Sequence, residues 1–150
     1  MIVALLGNGT GDVASTGLKR FIRLDHRKPS ATIGRSSTVI TKGCTVSADT
    51  ACFHNQVMSR NHAELTANLN TGVCYSLFLK LFTLLTNSQS VEIRDCKSMH
   101  GTKVNDKKLV VNQPEILKNG DKIEFGIAIR REHQDHKPTC VTVSLESGPR

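Results

Sequence analysis

The 150-residue sequence predicts an all-β sandwich. Three observations carry this. Short stretches of alternating polar and apolar residues recur along the chain, as half-buried strands require. Turn-forming clusters separate them at intervals of ~8–12 residues, the spacing of β-sandwiches. No long stretch keeps the 3.6-residue apolar period of an amphipathic helix.

The elements follow in order. "IVALL", Ile2 to Leu6, is a β-rich run that ends in the turn chemistry of "GNGTGD". Gly7, Gly9 and Gly11 of that turn imitate a nucleotide loop, but no helix pattern follows them. "KRFIRLD" alternates as a half-buried strand does, and "SATIGRSS" reads as a short strand ending at Gly34-Arg35. Residues 36 to 55 are rich in Ser, Thr, Asp and Asn and predict loop. "VMSRNHAELTAN" starts as loop and becomes a strand, and "SVEIRDC" is another. "KSMHGTKVNDKKLV" holds turn signals at His100-Gly101-Thr102 and Asn105-Asp106, so a short strand should feed a hairpin. Asn119-Gly120 in "KNGDKIEFGIAI" is a hairpin signal followed by a strand. "TCVTVSLE" is the last strand, residues 147–150 are a tail, and His133 and His136 read as surface residues of a polar loop.

Composition narrows the function. Aromatic residues are only 4%, with no Trp, so Val, Ile and Leu must fill the core. A net charge of +7 favours acidic partners: nucleic acid, anionic lipid or phosphorylated protein. Between residues 18 and 35 lie Lys19, Arg20, Arg23, Arg27, Lys28 and Arg35 against Asp25 alone. Five cysteines without a CxxC argue against a disulfide framework or a zinc site and for a reducing compartment. The apolar N-terminal run is short and lacks a basic start, so it does not read as a signal peptide.

One segment does not fit. "YSLFLKLFTLLT", Tyr75 to Thr86, carries seven Leu and Phe residues and one Lys. It is shorter than the ~20 residues of a membrane span. Residues 73–89 read as a buried strand or short core helix, as a membrane- or partner-binding insertion, or as a translated, unspliced intron whose removal leaves an ordinary hairpin.

Three polar clusters lie on loops between strands: Gly34-Arg35, Ser59-Arg60-Asn61-His62, and Ser98 to Thr102 followed by Asn105. Together they supply what a phosphate pocket needs. A guanidinium fork holds two oxygens, hydroxyl and loop N–H groups donate, and glycine lets backbone come close. A Walker lysine, a metal-holding carboxylate cluster and a nucleophile elbow are missing, so catalysis is not predicted.

"IGR", "SRNHAEL", "SMHGTKVN" and "LKNGDKIEFG", in this order, resemble a forkhead-associated (FHA) domain over about residues 1–146, apart from the apolar insertion. The spelling of "VMSRNHAEL", the long polar loop before it and the late "CVTVSL" strand look most like the sarcolemmal-membrane-associated-protein group and its fungal cytoplasm-to-vacuole targeting relatives.

The resemblance implies an FHA-type (SMAD/FHA) β-sandwich of about eleven strands whose loops at one end bind phosphothreonine peptides. By position, Arg35 would contact the phosphate, and Ser59 would donate its hydroxyl to it. Arg60 and Asn61 would flank it, and His62 would tie the binding loops together. Gly34, Gly101 and Thr102 would shape those loops and Asn105 the following turn. Met99 and His100 stand where the family often has Thr or Ser and Asn, so one phosphate donor is replaced by a thioether.

The expected function is a non-enzymatic module, without cofactor or metal, that recruits phosphothreonine-containing proteins. Small-molecule substrates are not expected. The alternative is a basic β domain binding nucleic acid through Lys19 to Lys28, disfavoured by the shortage of aromatic stacking platforms. Membrane contact is expected only through a region of a longer parent protein or through residues 75–86. A cytoplasmic location follows from the resemblance, with the nucleus left open.

Overall fold

The computed structural model describes residues 2–7, 19–37, 47–69, 89–131 and 134–146. The apolar segment at 73–88, the glycines at positions 9 and 11, Cys44, Cys74, His133 and the tail lie outside the described residues. Among the described residues thirteen strands are formed: β1 (Ile2–Gly7), β2 (Lys19–Arg23), β3 (Ser30–Arg35), β4 (Cys52–Phe53), β5 (Ala63–Asn68), β6 (Ser90–Asp95), β7 (Thr102–Val104), β8 (Lys107–Lys108), β9 (Glu115–Leu117), β10 (Lys122–Phe125), β11 (Ile129–Arg131), β12 (Gln134–His136) and β13 (Thr139–Glu146). The all-β expectation stands. The count exceeds eleven because very short pieces such as β4 and β8 pair as strands.

The strands form a six-stranded sheet, β2-β1-β13-β10-β7-β8, a five-stranded sheet, β4-β3-β5-β6-β9, and a separate β11-β12 hairpin. Strand pairs are antiparallel except β3–β4, which run parallel. Period-two alternation buries one face of each sheet. Ala63, Leu65 and Ala67 of β5, Val91 and Ile93 of β6, Ile123 and Phe125 of β10, and Val141 and Val143 of β13 all point inward. Each buried Val, Leu, Ile or Phe side chain among them is worth about 1.5–3 kcal/mol in apolar transfer. Phe53 and Phe125 pack at 6.2 Å between ring centres.

The same alternation has a cost at β2. Ile22 and Leu24 set its phase, so Arg20 is carried inside at 2% exposure and Phe21 is left 45% exposed. Arg20 meets the Ser47 carbonyl at 2.9 Å through Nη1 and lies 5.5 Å over the Phe53 ring. Its Nε has no partner. Burial lowers its proton affinity.

Four expectations need correction. Asn119-Gly120 does not close a hairpin: β9 before it belongs to one sheet and β10 after it to the other, so this turn carries the chain across the sandwich. The Ser/Thr-rich stretch read as loop contains β4, which gains order by pairing beside β3 at Gly34 and Arg35. His136 lies on β12 rather than in a loop. Cys52 is disulfide-bonded. That disulfide involves neither Cys96 nor Cys140.

Candidate functional site

Three connections meet at one end of the sandwich: the end of β3, the β4–β5 loop and the β6–β7 loop. Gly34 makes the approach possible. A Cβ there would overlap the Arg60 carbonyl oxygen and crowd that of Ser59. With glycine, the Gly34 N–H donates to the Ala51 carbonyl at 3.1 Å and the Arg35 N–H to the Ser59 carbonyl at 2.9 Å. Arg35 and Ser59, 24 positions apart in sequence, are thereby fastened through their backbones. Among the described residues the Arg35 side chain makes only a long 3.4 Å contact, from its Nη1 to the Gln56 carbonyl. Among the described residues no carboxylate pairs with it.

His62 is fully buried and joins the loops. Its Nδ1 accepts from the Ser59 N–H at 3.0 Å, which puts the imidazole proton on Nε2. Nε2 then donates to the Gly101 carbonyl at 3.0 Å. The main chain of His62 donates to Ile33 and accepts from Cys96. Its ring stands edge-on to Phe125 at 5.6 Å. Burial lowers its proton affinity, and the bond to Gly101 and the charge of Asp95 only partly oppose this. The ring is therefore held neutral, as its bonding pattern requires.

The Ser59 hydroxyl accepts from the Met99 N–H at 3.1 Å. No described residue takes the hydroxyl's own proton, so it can donate to an incoming anion. Met99 projects into solvent at 82% exposure. Arg60 and Asn61 are exposed beside Ser59, and His100 is half-buried. Gly101 has φ +84, and the Lys108 Cε would lie 2.8 Å from any Cβ added there. A side chain at 101 would thus displace the lysine stem that crosses it. Asn105 stands apart from this cluster. It turns β7 into β8 with φ 49 and bonds Asp121 and Lys122 at the far end of β7.

Sequence reasoning missed Asp95, the organiser of the β6–β7 loop, which is 1% exposed. One carboxylate oxygen accepts from the Ser98 N–H at 3.0 Å. The other accepts from the Ser98 hydroxyl at 2.6 Å and from the buried Thr102 hydroxyl at 2.8 Å. Ser98 Oγ in turn accepts from the Gly101 N–H at 2.9 Å. Burial pushes the Asp95 carboxyl up, but the bonds from Ser98 and Thr102 outweigh it and hold it below its ordinary value. The visible signal was an Asp three residues before a Ser, a spacing at which a short side chain can accept from a nearby backbone N–H.

A groove of about 460 Å³ is lined by Arg35 and Arg60 together with Ser36, His54, Asn55, Gln56, Gln134 and His136. Asn55 closes one corner: its Nδ2 donates to the Lys137 carbonyl at 2.9 Å and to Thr139 Oγ1 at 2.7 Å. Among the described residues no group of three metal-ligating side chains comes together.

The FHA domain family profile matches residues 31–126, the stretch that contains every one of these loops except the β12 wall. The chain belongs to the FHA family. No curated protein sequence matches it. Among solved structures it is similar to the N-terminal FHA domain of S. cerevisiae Rad53p in complex with a phosphothreonine peptide, at 14% identity, covering 97% of this chain and 94% of that one, with a TM-score of 0.59. It is also similar to the MEK1 FHA domain bound to a phosphothreonine peptide of HOP1, at 16% identity, 97% coverage of both chains and a TM-score of 0.55. An FHA domain from Arabidopsis thaliana is similar at 15% identity, 99% and 89% coverage and a TM-score of 0.59. At such identities these likenesses establish the FHA fold and nothing finer.

Proposed function

We propose that this FHA domain binds phosphothreonine-containing segments of partner proteins, acting by recognition and not by catalysis. The observation that carries the reading is the pairing of an uncompensated guanidinium, Arg35, with a hydroxyl at Ser59 that is free to donate, fastened together on buried bonds. A phosphate dianion satisfies both: the guanidinium fork takes two oxygens and the hydroxyl a third. Arg60 adds a second cation at the rim. His62 and Asp95 touch no ligand and hold the loops that do. The phosphothreonine peptides bound to two similar FHA domains support the same reading.

Preorganisation is what makes so few contacts sufficient. Loops already locked by buried bonds lose little further freedom when a flexible peptide settles on them. The test is a fluorescence titration with a phosphothreonine peptide pool and its unphosphorylated twin. Only the phosphorylated peptides bind, and Arg35→Ala weakens them at least ~10-fold, the worth of one hydrogen bond to a charged group. Equal binding of both pools overturns the proposal.

The nucleic-acid alternative loses ground at β2, where Arg20 faces the core and Phe21 is the one exposed aromatic ring among the described residues. The finer reading, a cytoplasmic trafficking adaptor, rests on resemblance to the sarcolemmal-membrane-associated-protein group. Fractionation of the tagged chain tests that location.

A further inference from the structure

Away from the recognition loops, the start of β3 carries charges that stay unpaired. The β2–β3 turn there is stiff. Asp25 and Lys28 exchange backbone bonds at 3.0 and 3.1 Å, and the Asp25 carboxylate accepts from the Arg27 and Lys28 N–H groups at 2.9 Å. Arg27 and Lys28 are exposed. Among the described residues no carboxylate forms an ion pair with either. Directly after the turn, Pro29 forms one wall of a second groove, of about 400 Å³, and Pro114 another. Glu64, Glu92 and Arg94 also line it. Glu64 is taken up by Arg94 Nε at 2.8 Å. Glu92 has neither hydrogen bond nor ion pair among the described residues, although the chain as a whole carries a net charge of +7. This groove shares no lining residue with the one at Arg35. Ser30 of its wall begins β3 and Arg35 ends it, about 17 Å away at strand spacing.

The free cations and the free carboxylate adjoin, yet they do not meet within one chain. We propose that this face is an interface between two copies of the chain, each basic turn seated in the other's groove with Arg27 and Lys28 against Glu92. A two-fold axis makes both contacts at once, because an isologous interface needs a patch that complements itself, and acid beside base on one surface is such a patch. A guanidinium can take the Glu92 carboxylate through two parallel bonds. The long stems of the basic residues have the rings of Pro29 and Pro114 to lie against. The recognition loops stay outside the contact, so the dimer presents two phosphothreonine sites to one partner. That consequence rests on the phosphothreonine reading above; the interface does not.

Sedimentation velocity of the full chain over rising concentration tests it. A dimer is expected at ~0.1 M salt, giving way to monomer towards ~1 M, where the screening length falls to ~3 Å. Glu92→Lys alone, and Arg27→Glu/Lys28→Glu alone, should each weaken the dimer at least ~100-fold, since like charges then face each other. Mixing the two variants should restore it, because both contacts of the mixed pair are again opposite in charge. Circular dichroism reports that each variant is folded. Should one fail to fold, carbodiimide cross-linking of isotopically labelled and unlabelled wild-type chains serves instead: an amide between Lys28 of one copy and Glu92 of the other is expected, and its absence counts against the interface. A chain that stays monomeric up to ~1 mM, where even weak association shows, overturns the proposal. So does a dimer that ignores salt or either charge reversal, or a mixture of folded variants that stays apart. None of these changes touches Arg35 or Ser59, so the peptide titration decides the phosphothreonine reading separately.

Discussion

The loop-bearing end of this domain has two unlike halves. Around His62 and Asp95 the polar groups are buried and bonded to one another. Around Arg35, Arg60, His54 and His136 they line an open groove with few partners of their own. The first half resembles a core written in hydrogen bonds. The second is a set of cations and donors left unspent. The difference teaches how a small domain reads a charged ligand: one half absorbs the entropic cost of holding loops still, and the other keeps its electrostatic capacity for the ligand. Substitutions in the closed half should therefore change stability and binding together, and those in the open half binding alone.

The strongest test of that division is Asp95→Ala. It leaves the Ser98 and Thr102 donors without their acceptor. Unfolding in urea should show a loss of about 2–4 kcal/mol, with peptide affinity falling alongside. Asp95→Asn, which keeps an acceptor, should lose less. Unchanged stability in the alanine variant would erase the distinction between the halves.

Gly34→Ala comes next. Its Cβ must displace the Arg60 carbonyl, a backbone atom that cannot swing aside. Overpacking of this kind costs about 1–3 kcal/mol, and it should also misplace Ser59 and Arg60, so thermal denaturation and peptide titration should worsen in step. Arg35→Ala, one residue on, should affect the titration only.

The closed half should also respond to pH through His62. Its folded-state proton affinity lies below the ordinary value of 6.5, so the unfolded chain takes up the proton first as pH falls. The stabilisation is complete above about pH 6.5 and is lost as the pH drops through that value towards the lower, folded one. Asp95 behaves alike in a more acid window: its stabilisation is present above 3.8 and lost as pH falls through its lowered folded value. An NMR titration that finds His62 protonating at or above 6.5 would contradict the geometry.

The smallest expected effect belongs to Met99→Thr. The residue is 82% exposed, so stability should stay within ~0.5 kcal/mol, as at most surface sites. A hydroxyl beside the Ser59 hydroxyl adds one donor, and phosphothreonine peptide affinity should rise several-fold, up to ~10-fold. Weaker binding would mean that the thioether itself contacts the peptide.

Much of this was legible in the chain, for local reasons. Alternation at "AELTAN" and "SVEIRD" marked β5 and β6 because a period of two is a local property. Asn105-Asp106 marked the β7–β8 turn because both residues tolerate the left-handed backbone they adopt there, at φ 49 and 68. Asn119-Gly120 carried an equally good turn signal and was misread. A turn's chemistry says that the chain reverses, and not which sheet receives it. Asp95 was passed over because its value lies in being buried, and burial is not local. Asn55 and His136 could not be connected at all: the contacts that close the groove join positions more than 80 apart.

From its order of residues alone this protein determined its strands, most of its turns, an aliphatic core and the run of Gly34-Arg35, Ser59 to His62 and Ser98 to Thr102 that marks the FHA family. Tertiary structure alone decided that Arg20 faces inward, that Asp95 locks the β6–β7 loop, and that two histidines from distant segments share a groove with two arginines. The reason is one of range. Periodicity and turn preference act between neighbours in the chain, whereas burial, charge pairing and a shared pocket exist only once the two sheets have closed on each other.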